Sequence, residues 1–554
     1  MEKRFLLALV LSAAIFIAWS ILVPQPAQAP RPVQQVPTPS AQATAAAGTT
    51  AATPVPTPQP QPQAVKVTEA IGAEHPETVE LVSDDLHLRL TSQGAAIASL
   101  VLSKYTDDEG RPLDLVKTVD LPQRALPLQM VSDAGPDQHV YAVEKVSGGY
   151  RFRWSDGTTA AVEKTVRLGD QPYTLDIEVS ASGAAANWAL AVGTGMRDIG
   201  PAERANRFAT WGDAVFITPE KAERIKRKKV TEEKIEPGAG FTYAGFEDTY
   251  FVNLLRPLTP LKDMKVRPLD LPPSDVKSGK EKKKNEKETV LELLAEPQAY
   301  PFKGQLFCAP KEYDLLRKVD RGVEKTLHFG FFHPISVVFL QVLRWIYGLV
   351  GNYGVAIILL TLAIRLLLFP LMHSSTVSMR KMQKLQPKVK AIQEKYRKNK
   401  SDPQMRAKMN QEMMELYKVE GVNPMGGCLP MLIQLPILWA LYTLFAYAIE
   451  LRHAPFIFWI HDLSAKDPYY ITPILMTATM WLQQRLAPQA GDPQQQKIFR
   501  MMPLIFGIMF LGFPSGLVLY WLTNNVLTII QQEVTLRLIG ERQKSGAKGK
   551  GKRK

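Results

Sequence analysis

Apolar and polar residues follow two different patterns along this chain, and the patterns predict two kinds of structure. Long, nearly continuous apolar runs occur close to the N-terminus and again, repeatedly, after residue 335. A helix of about 20 apolar residues crosses a bilayer, so these runs predict membrane spans. Residues 66–310 instead contain short segments in which apolar and polar residues alternate, a pattern typical of half-buried β-strands.

The apolar runs predict six spans. The first lies in residues 1–23; it could be a cleavable signal peptide, but its length favours an uncleaved anchor. The second lies within residues 333–372 and begins near Leu349. The last four fall within residues 427–532, at Leu429–Ile449, Tyr470–Leu486, Ile498–Phe513 and Gly516–Ile530.

The alternating segments predict a large antiparallel β-sandwich or barrel domain over residues 66–310. Apolar side chains share one strand face in Leu86–Leu90, Tyr150–Trp154 and Tyr173–Val179. The preceding residues 24–65 are rich in Pro, Ala and Gln. They contain too few large apolar residues to offset the entropy of ordering, so they predict a disordered tether. A charge-rich stretch at 277–288 is interpreted as a solvated loop.

Residues 311–332, between the β domain and the second span, have a helical period. Five apolar residues fall on one face: Leu316, Val319, Val323, Leu327 and Phe331. An amphipathic helix directly before a span is typical of one lying in the membrane interface, and this is the prediction. The alternative is a helix packed on the β domain.

The positions of the charges orient the spans. The formal net charge is +14, and basic residues collect on the cytoplasmic side of membrane proteins. Residues 373–426 hold 12 Lys/Arg against 5 Asp/Glu, and residues 533–554 hold eight Lys/Arg, whereas residues 450–468 hold two. This predicts a membrane protein with both termini in the cytoplasm and the β domain on the outer face, which in a bacterium is the periplasm. The basic tail either reflects topology alone or also binds ribosomal RNA through its phosphates.

Residues 373–426 predict a cytoplasmic hairpin of two helices. Methionines recur at helical spacing on both of them, at Met379, Met382, Met405 and Met409. The apolar stripe could simply join the two helices. It could also offer varied client proteins an adaptable surface, because methionine is unbranched and polarizable.

The sequence carries no motif for nucleotide binding, metal-dependent hydrolysis or an activated serine. Its two cysteines, Cys308 and Cys428, lack the spacing of a metal site. We therefore predict a protein that is not an enzyme, uses no cofactor or metal, and acts by binding and by shaping the membrane.

Polar residues inside the predicted spans mark the candidate site. Arg365 lies near the middle of the second span, where an arginine costs about 2.5–3.5 kcal/mol on insertion scales. Either its long side chain extends so that the guanidinium reaches the cytoplasmic surface, or the guanidinium lies in a hydrated cavity. The other candidates are Thr361, Gln434, Tyr520, Trp521 and Asn524. For these, ordinary packing and hydrogen bonds between helices are the alternative.

Three segments resemble the YidC/Oxa family of membrane-protein insertases: Gly421–Leu438, Phe458–Ile471 and Phe513–Asn525. The resemblance implies a five-helix insertase core with a hydrophilic groove open to cytoplasm and lipid. It implies that Arg365 lines this groove beside Thr361, that Trp521 faces the client helix, and that the hairpin at 377–420 is required for insertion.

By this resemblance the protein inserts and folds inner-membrane proteins, as an insertase and chaperone, alone or with the Sec translocon. Its expected partners are nascent membrane proteins, the Sec translocon, the ribosome through the basic tail, and the lipid bilayer, with no small-molecule substrate. The alternative is a small-molecule transporter or lipid scramblase. Transporters are often built from inverted repeats, which the sequence does not display.

Overall fold

The computed structural model describes residues 69–551, with gaps at 119–123, 201–202, 205–208, 272–288, 321, 328, 398–401, 423–428 and 487–492. The predicted N-terminal span, the tether, the charge-rich stretch and Cys428 therefore lie outside the described residues.

Antiparallel strands make up the described chain up to residue 310. They are β1 (Ala70–Ile71), β2 (Thr78–Val82), β3 (Leu86–Thr91), β4 (Ala96–Thr106), β5 (Pro112–Asp114), β6 (Met130–Ser132), β7 (Gly135–Pro136), β8 (Ala142–Val146), β9 (Gly149–Asp156), β10 (Ala160–Leu168), β11 (Thr174–Gly183), β12 (Ala189–Thr194), β13 (Asp213–Ile217), β14 (Ala222–Ile225), β15 (Lys234–Pro237), β16 (Tyr243–Glu247), β17 (Phe251–Pro257), β18 (Leu261–Asp270), β19 (Thr289–Pro297) and β20 (Phe302–Pro310).

The strands form three sheets around a shared apolar core. The largest has the order β1-β9-β10-β11-β20-β17-β16-β13-β14, with β8 also paired to β9. The second has the order β15-β18-β19-β12-β6-β7, and the third β2-β3-β4-β5. In β3 the alternation places Leu86, Leu88 and Leu90 in the core, with at most 1% of each exposed. The predicted antiparallel β-sandwich is confirmed.

The predicted interfacial helix over 311–332 is wrong. The chain forms a short helix, α1 (Tyr313–Val319), followed by single 3₁₀ turns. Leu316 and Val323 are fully buried in the core that they share with the strands, and the Tyr243 hydroxyl of β16 donates to Asp320 Oδ2 at 3.1 Å. Most of the apolar stripe therefore packs on the β domain, whereas Phe331 at its end is 89% exposed.

Seven further helices follow in the described chain. They are α2 (His333–Val350), α3 (Tyr353–Lys395), α4 (Pro403–Val419), α5 (Leu429–Tyr447), α6 (Ile471–Leu486), α7 (Pro493–Phe510) and α8 (Ser515–Gly551). By length and composition, the segments Gly330–Val350 and Tyr353–Lys395 could cross a membrane; shorter apolar helices lie at Ile433–Tyr447 and Arg500–Phe510. The predicted second span and the first hairpin helix are one continuous helix, α3, of 43 residues.

Helix α8 is central to the helical region, because it packs along both α3 and α6. Helix α7 packs on α6, and α2 packs on α3 and α5. Helix α5 contacts α3 and α8 at only a few residues. The polar residues predicted from the sequence lie where α5 approaches α3 and α8, and we refer to this junction of the three helices as the cleft.

Candidate functional site

Arg365 of α3 points toward α8. Its Nε donates to Asn524 Oδ1 at 2.8 Å, and one terminal nitrogen lies 3.5 Å from the Asn524 carbonyl oxygen. No Asp or Glu of the described chain lies within ion-pair distance of the guanidinium. An arginine has five N–H donors, so most of its hydrogen-bonding capacity is not used by these two contacts.

The Asn524 backbone carbonyl also accepts a hydrogen bond within its own helix. The hydroxyl of Thr528, one turn further along α8, donates to it at 2.6 Å. Asn524 meets Arg365 with both its amide oxygen and its backbone oxygen. This arrangement presents neutral acceptors to a cation, which satisfies part of the guanidinium without neutralising it.

A second polar pair lies one turn earlier on α8. Gln434 Nε2 of α5 donates to the Tyr520 hydroxyl at 2.6 Å. Only 2% of Tyr520 is exposed, and it lies one turn before Asn524 on α8. The sequence-predicted residues Arg365, Gln434, Tyr520 and Asn524 thus come together where α3, α5 and α8 meet.

Thr361 and Trp521 are placed differently. The Thr361 hydroxyl donates to the Ile357 carbonyl of its own helix at 2.6 Å, and only 1% of the residue is exposed. Trp521 packs against two phenylalanines of α7, at ring distances of 5.8 Å from Phe506 and 5.2 Å from Phe510. Neither residue has a hydrogen bond to Arg365 among the described contacts. Trp521 instead lies against α7, and Thr361 is buried with its hydroxyl bonded to its own helix.

Polar contacts continue from Arg365 toward the hairpin along the interface of α3 and α8. Gln531 Nε2 lies 3.5 Å from the Phe369 carbonyl oxygen, and His373 Nδ1 lies 3.3 Å from Thr535 Oγ1. The sequence interpretation missed these residues. Helical spacing could have identified two of them, because Gln531 and Thr535 fall seven and eleven positions after Asn524 and so share its helical face.

The hairpin is formed by the second half of α3 and by α4. Lys388 pairs with Glu420 at 2.6 Å and Lys395 with Glu412 at 2.9 Å, while Leu385 is buried. The four predicted methionines, Met379, Met382, Met405 and Met409, are half-buried. The hairpin packs partly through its apolar stripe, and the stripe also keeps part of its surface accessible.

The loop of residues 448–470, between α5 and α6, covers the opposite ends of the helices; we refer to it as the cap loop. Asn352 caps α3 and donates to the Phe456 carbonyl at 3.0 Å. Ser515, the first residue of α8, donates from its amide to the Ala465 carbonyl at 2.7 Å. The cap loop thus ties the starts of α3 and α8 together.

The cap loop also contacts the β domain. Arg452, which is almost fully buried, donates to Glu203 Oε1 at 3.0 Å and to the Thr106 carbonyl at 2.7 Å. His453 lies 3.4 Å from Asp108. The His453 imidazole, together with the Arg452 guanidinium, holds the pKa of Asp108 below its usual range, although burial opposes the shift.

Two family models match the chain. The "YidC periplasmic domain" covers residues 78–342 and the "60Kd inner membrane protein" covers residues 345–542. The membrane protein insertase YidC of Syntrophus aciditrophicus is 34% identical over 556 residues, 96% of this chain and 99% of the relative. That of Geobacter sulfurreducens is 37% identical over 563 residues, 96% and 98% of the two chains. A crystal structure of an active YidC insertase aligns over 85% of this chain and 94% of that one, with 19% identity and a TM-score of 0.35.

Proposed function

Because this chain belongs to the YidC family of membrane protein insertases, we propose that it inserts and folds inner-membrane proteins through the cleft that holds Arg365. The observation that carries the proposal is the incomplete pairing of this arginine. It hydrogen-bonds to Asn524, and no carboxylate of the described chain lies within ion-pair distance. The missing acceptor would come from the client protein.

The physical problem of insertion is the cost of moving a client's polar tail through hydrocarbon. A polar surface made of Arg365, Gln434, Tyr520 and Asn524 gives that tail hydrogen-bond partners partway across. Opposite charges attract more strongly at low dielectric than in water, so an acidic tail gains most. The client's apolar segment then leaves sideways into lipid, and its transfer from water drives release without a nucleotide.

The orientation proposed for the chain follows its basic residues. The β domain, which matches the YidC periplasmic domain, lies in the periplasm, and the hairpin and the C-terminal tail lie in the cytoplasm. Helices α3, α5, α6, α7 and α8 form the insertase core, with the N-terminal span outside the described residues. The cleft is then open toward the hairpin and closed toward the periplasm by the cap loop.

Helix α2 is proposed to lie in the periplasmic interface rather than to cross the bilayer. Arg344, near its end, pairs with Asp314 of α1 at 2.7 Å, and α1 packs on the β domain. Asn352, just after its end, contacts the cap loop. Its outward side exposes 67% of Trp345 and 68% of Leu349, which is typical of an interfacial helix. The interfacial helix expected at 311–332 is thus assigned to 333–350.

Three further partners are proposed. The half-exposed methionines of the hairpin offer an adaptable surface to nascent membrane proteins. The family resemblance implies cooperation with the Sec translocon. The basic tail, which continues α8 as a helix to Gly551, is proposed to bind the ribosome. Deletion of residues 540–554 should weaken salt-sensitive ribosome binding, and unchanged binding would assign the tail charge to topology alone.

The insertion test compares three variants of the full chain in a depletion strain. Arg365→Ala removes the groove cation, Arg365→Lys keeps a charge, and Arg111→Ala is the matched control. Arg111 is exposed on the β domain and pairs with Asp107 and Glu109. Insertion of a single-span client with an acidic tail should fall most in Arg365→Ala and remain normal in Arg111→Ala.

A second client, with its acidic tail residues changed to amides, separates charge from general polarity. We expect Arg365→Ala to affect insertion of the neutral client less, because a tail without carboxylates has no Coulombic attraction to Arg365 that the substitution could remove. Equal insertion of every client by Arg365→Ala and the unaltered protein, at equal amounts in the membrane, would refute the proposed role of the cation.

A further inference from the structure

The middle of the cap loop projects away from the protein. Phe458 is 79% exposed and Ile457 is 49% exposed, whereas Ile460, which follows shortly after, is 3% exposed. The backbone of Phe458 has a φ of +53°, a left-handed conformation that side-chain-bearing residues rarely adopt. Such strain persists where surrounding contacts impose it, and it clusters at functional positions.

Contacts with the start of α6 fix the position of these exposed cap-loop residues. Phe458 stacks on Trp459 at 5.9 Å, and Trp459 Nε1 donates to Asp467 Oδ1 at 3.1 Å. Asp467 is 1% exposed. Its second oxygen accepts from the amide and the hydroxyl of Thr472, at 2.8 and 2.7 Å, in the first turn of α6. The projecting residues are therefore held beside the beginning of a predicted span.

The exposed apolar surface continues from the projection onto that span. Tyr469, directly before α6, is 66% exposed, and Ile474 and Leu475 in its first turns are 61% and 48% exposed. In a bilayer, lipid covers the outer face of such a helix. Aromatic residues concentrate at the level of the lipid headgroups, which is where the start of a span lies.

We propose that Ile457, Phe458 and Trp459 insert into the periplasmic headgroup region and anchor the cap loop to lipid. The occupant is the bilayer because the patch is continuous with the lipid-facing side of α6. Asp467 sets the depth of the anchor by joining Trp459 to the first turn of that helix. The inference rests on the proposed placement of α6 in the membrane, and the test separates the two.

The test uses the full chain in liposomes of phosphatidylethanolamine and phosphatidylglycerol. Cys308 and Cys428 are replaced by serine, and Phe458→Cys is labelled with an environment-sensitive fluorophore. Quenching is measured with aqueous iodide and with lipids that carry a nitroxide near the glycerol. Val82→Cys is the water-exposed control, since Val82 is 59% exposed on β2 of the β domain, and Ile474→Cys is the lipid-exposed control.

We expect the probe at position 458 to be quenched several-fold more by the nitroxide lipid than the probe at position 82, and to be shielded from iodide. The same result at Tyr469→Cys would confirm it independently of any local effect at position 458. If iodide quenches the probe at position 458 as strongly as the probe at position 82, while the probe at position 474 contacts lipid, the proposed anchor is refuted. The placement of α6 in the bilayer is then unaffected.

Shielding of position 458 from both quenchers would mean that protein covers it, and this also overturns the anchor. If position 474 is itself accessible to iodide, the placement of α6 in the bilayer fails, and the anchor fails with it.

Discussion

Gly354→Ala tests how the cap loop is seated on α3. A methyl carbon at this position would lie 2.0 Å from Cδ2 and 2.4 Å from Cγ of Phe456. Carbon atoms in contact are normally about 3.5–4.0 Å apart, so the ring would have to retreat by about 1.5 Å or more. Its backbone is held at both sides, by Phe456 N donating to Ile460 O at 2.9 Å and by Asn352 donating to the Phe456 carbonyl at 3.0 Å.

The expected magnitude follows from two opposing effects. Overpacking of this kind costs about 1–3 kcal/mol, whereas replacing a helical glycine by alanine stabilises by up to about 1 kcal/mol. Gly348 of α2 is the matched control, because a methyl there would meet no atom within 4 Å. Both substitutions gain the same helix propensity, so the free energies of unfolding of Gly354→Ala and Gly348→Ala should differ by the overpacking cost, about 1–3 kcal/mol, with Gly354→Ala the less stable.

Unfolding of the full chain in mixed micelles of increasing dodecyl sulfate fraction, followed by circular dichroism, measures this difference. The same substitution in a Phe456→Ala background isolates the clash. There, Gly354→Ala should become neutral or stabilising, since the ring is gone. A stabilising effect in the unaltered background, or an equal cost in both backgrounds, would refute the proposed contact between the cap loop and α3.

Three further predictions concern buried charges. Lys164→Met should cost about 1–3 kcal/mol in the unfolding of the β domain, because the buried Lys164 Nζ donates to three backbone carbonyls that would lose this donor; a loss below about 1 kcal/mol in thermal unfolding would contradict this. Burial raises the pKa of Glu450 to about 7. The residue as a whole is partly exposed, but its Oε1 atom is buried and has no hydrogen-bond partner in the described chain. Its folded pKa exceeds the unfolded one, so stability should fall by up to about 3 kcal/mol as pH rises from about 4.5 to 7, and Glu450→Gln should flatten that profile. In a double-mutant cycle, Arg452→Met and Glu203→Gln should show a coupling of about 0.5–3 kcal/mol; additive effects would mean that this pair does not join the cap loop to the β domain.

The sequence predicted which residues form the candidate site better than it predicted their contacts. An arginine and several amides inside apolar runs are costly in lipid, so their position alone marked Arg365, Gln434 and Asn524. Thr361 shares the face of Arg365 by spacing, but its hydroxyl bonds to its own helix, an alternative that spacing does not exclude. Trp521 packs against α7, and this depends on a helix far from it in the chain.

The stripe after the β domain shows the same limit. Helical spacing at Leu316, Val323 and Leu327 specifies an apolar face, and both a membrane surface and a protein core can bury such a face. The structure places these three residues in the β-domain core, and the exposed apolar side of α2, with Trp345, supports the proposal that α2 lies in the interface. The choice between the two depended on what lay nearby in three dimensions.

Local pattern determined the kinds of element in this protein. Alternation specified strands and long apolar runs specified apolar helices, and basic loops support the proposed orientation, because each depends on residues close together in sequence. The tertiary structure decided which elements meet. It joined Arg365 to Asn524 and Gln434 to Tyr520, and it seated Phe456 of the cap loop on Gly354. These pairs are distant in the chain, and packing of the helices against one another is what brings them together.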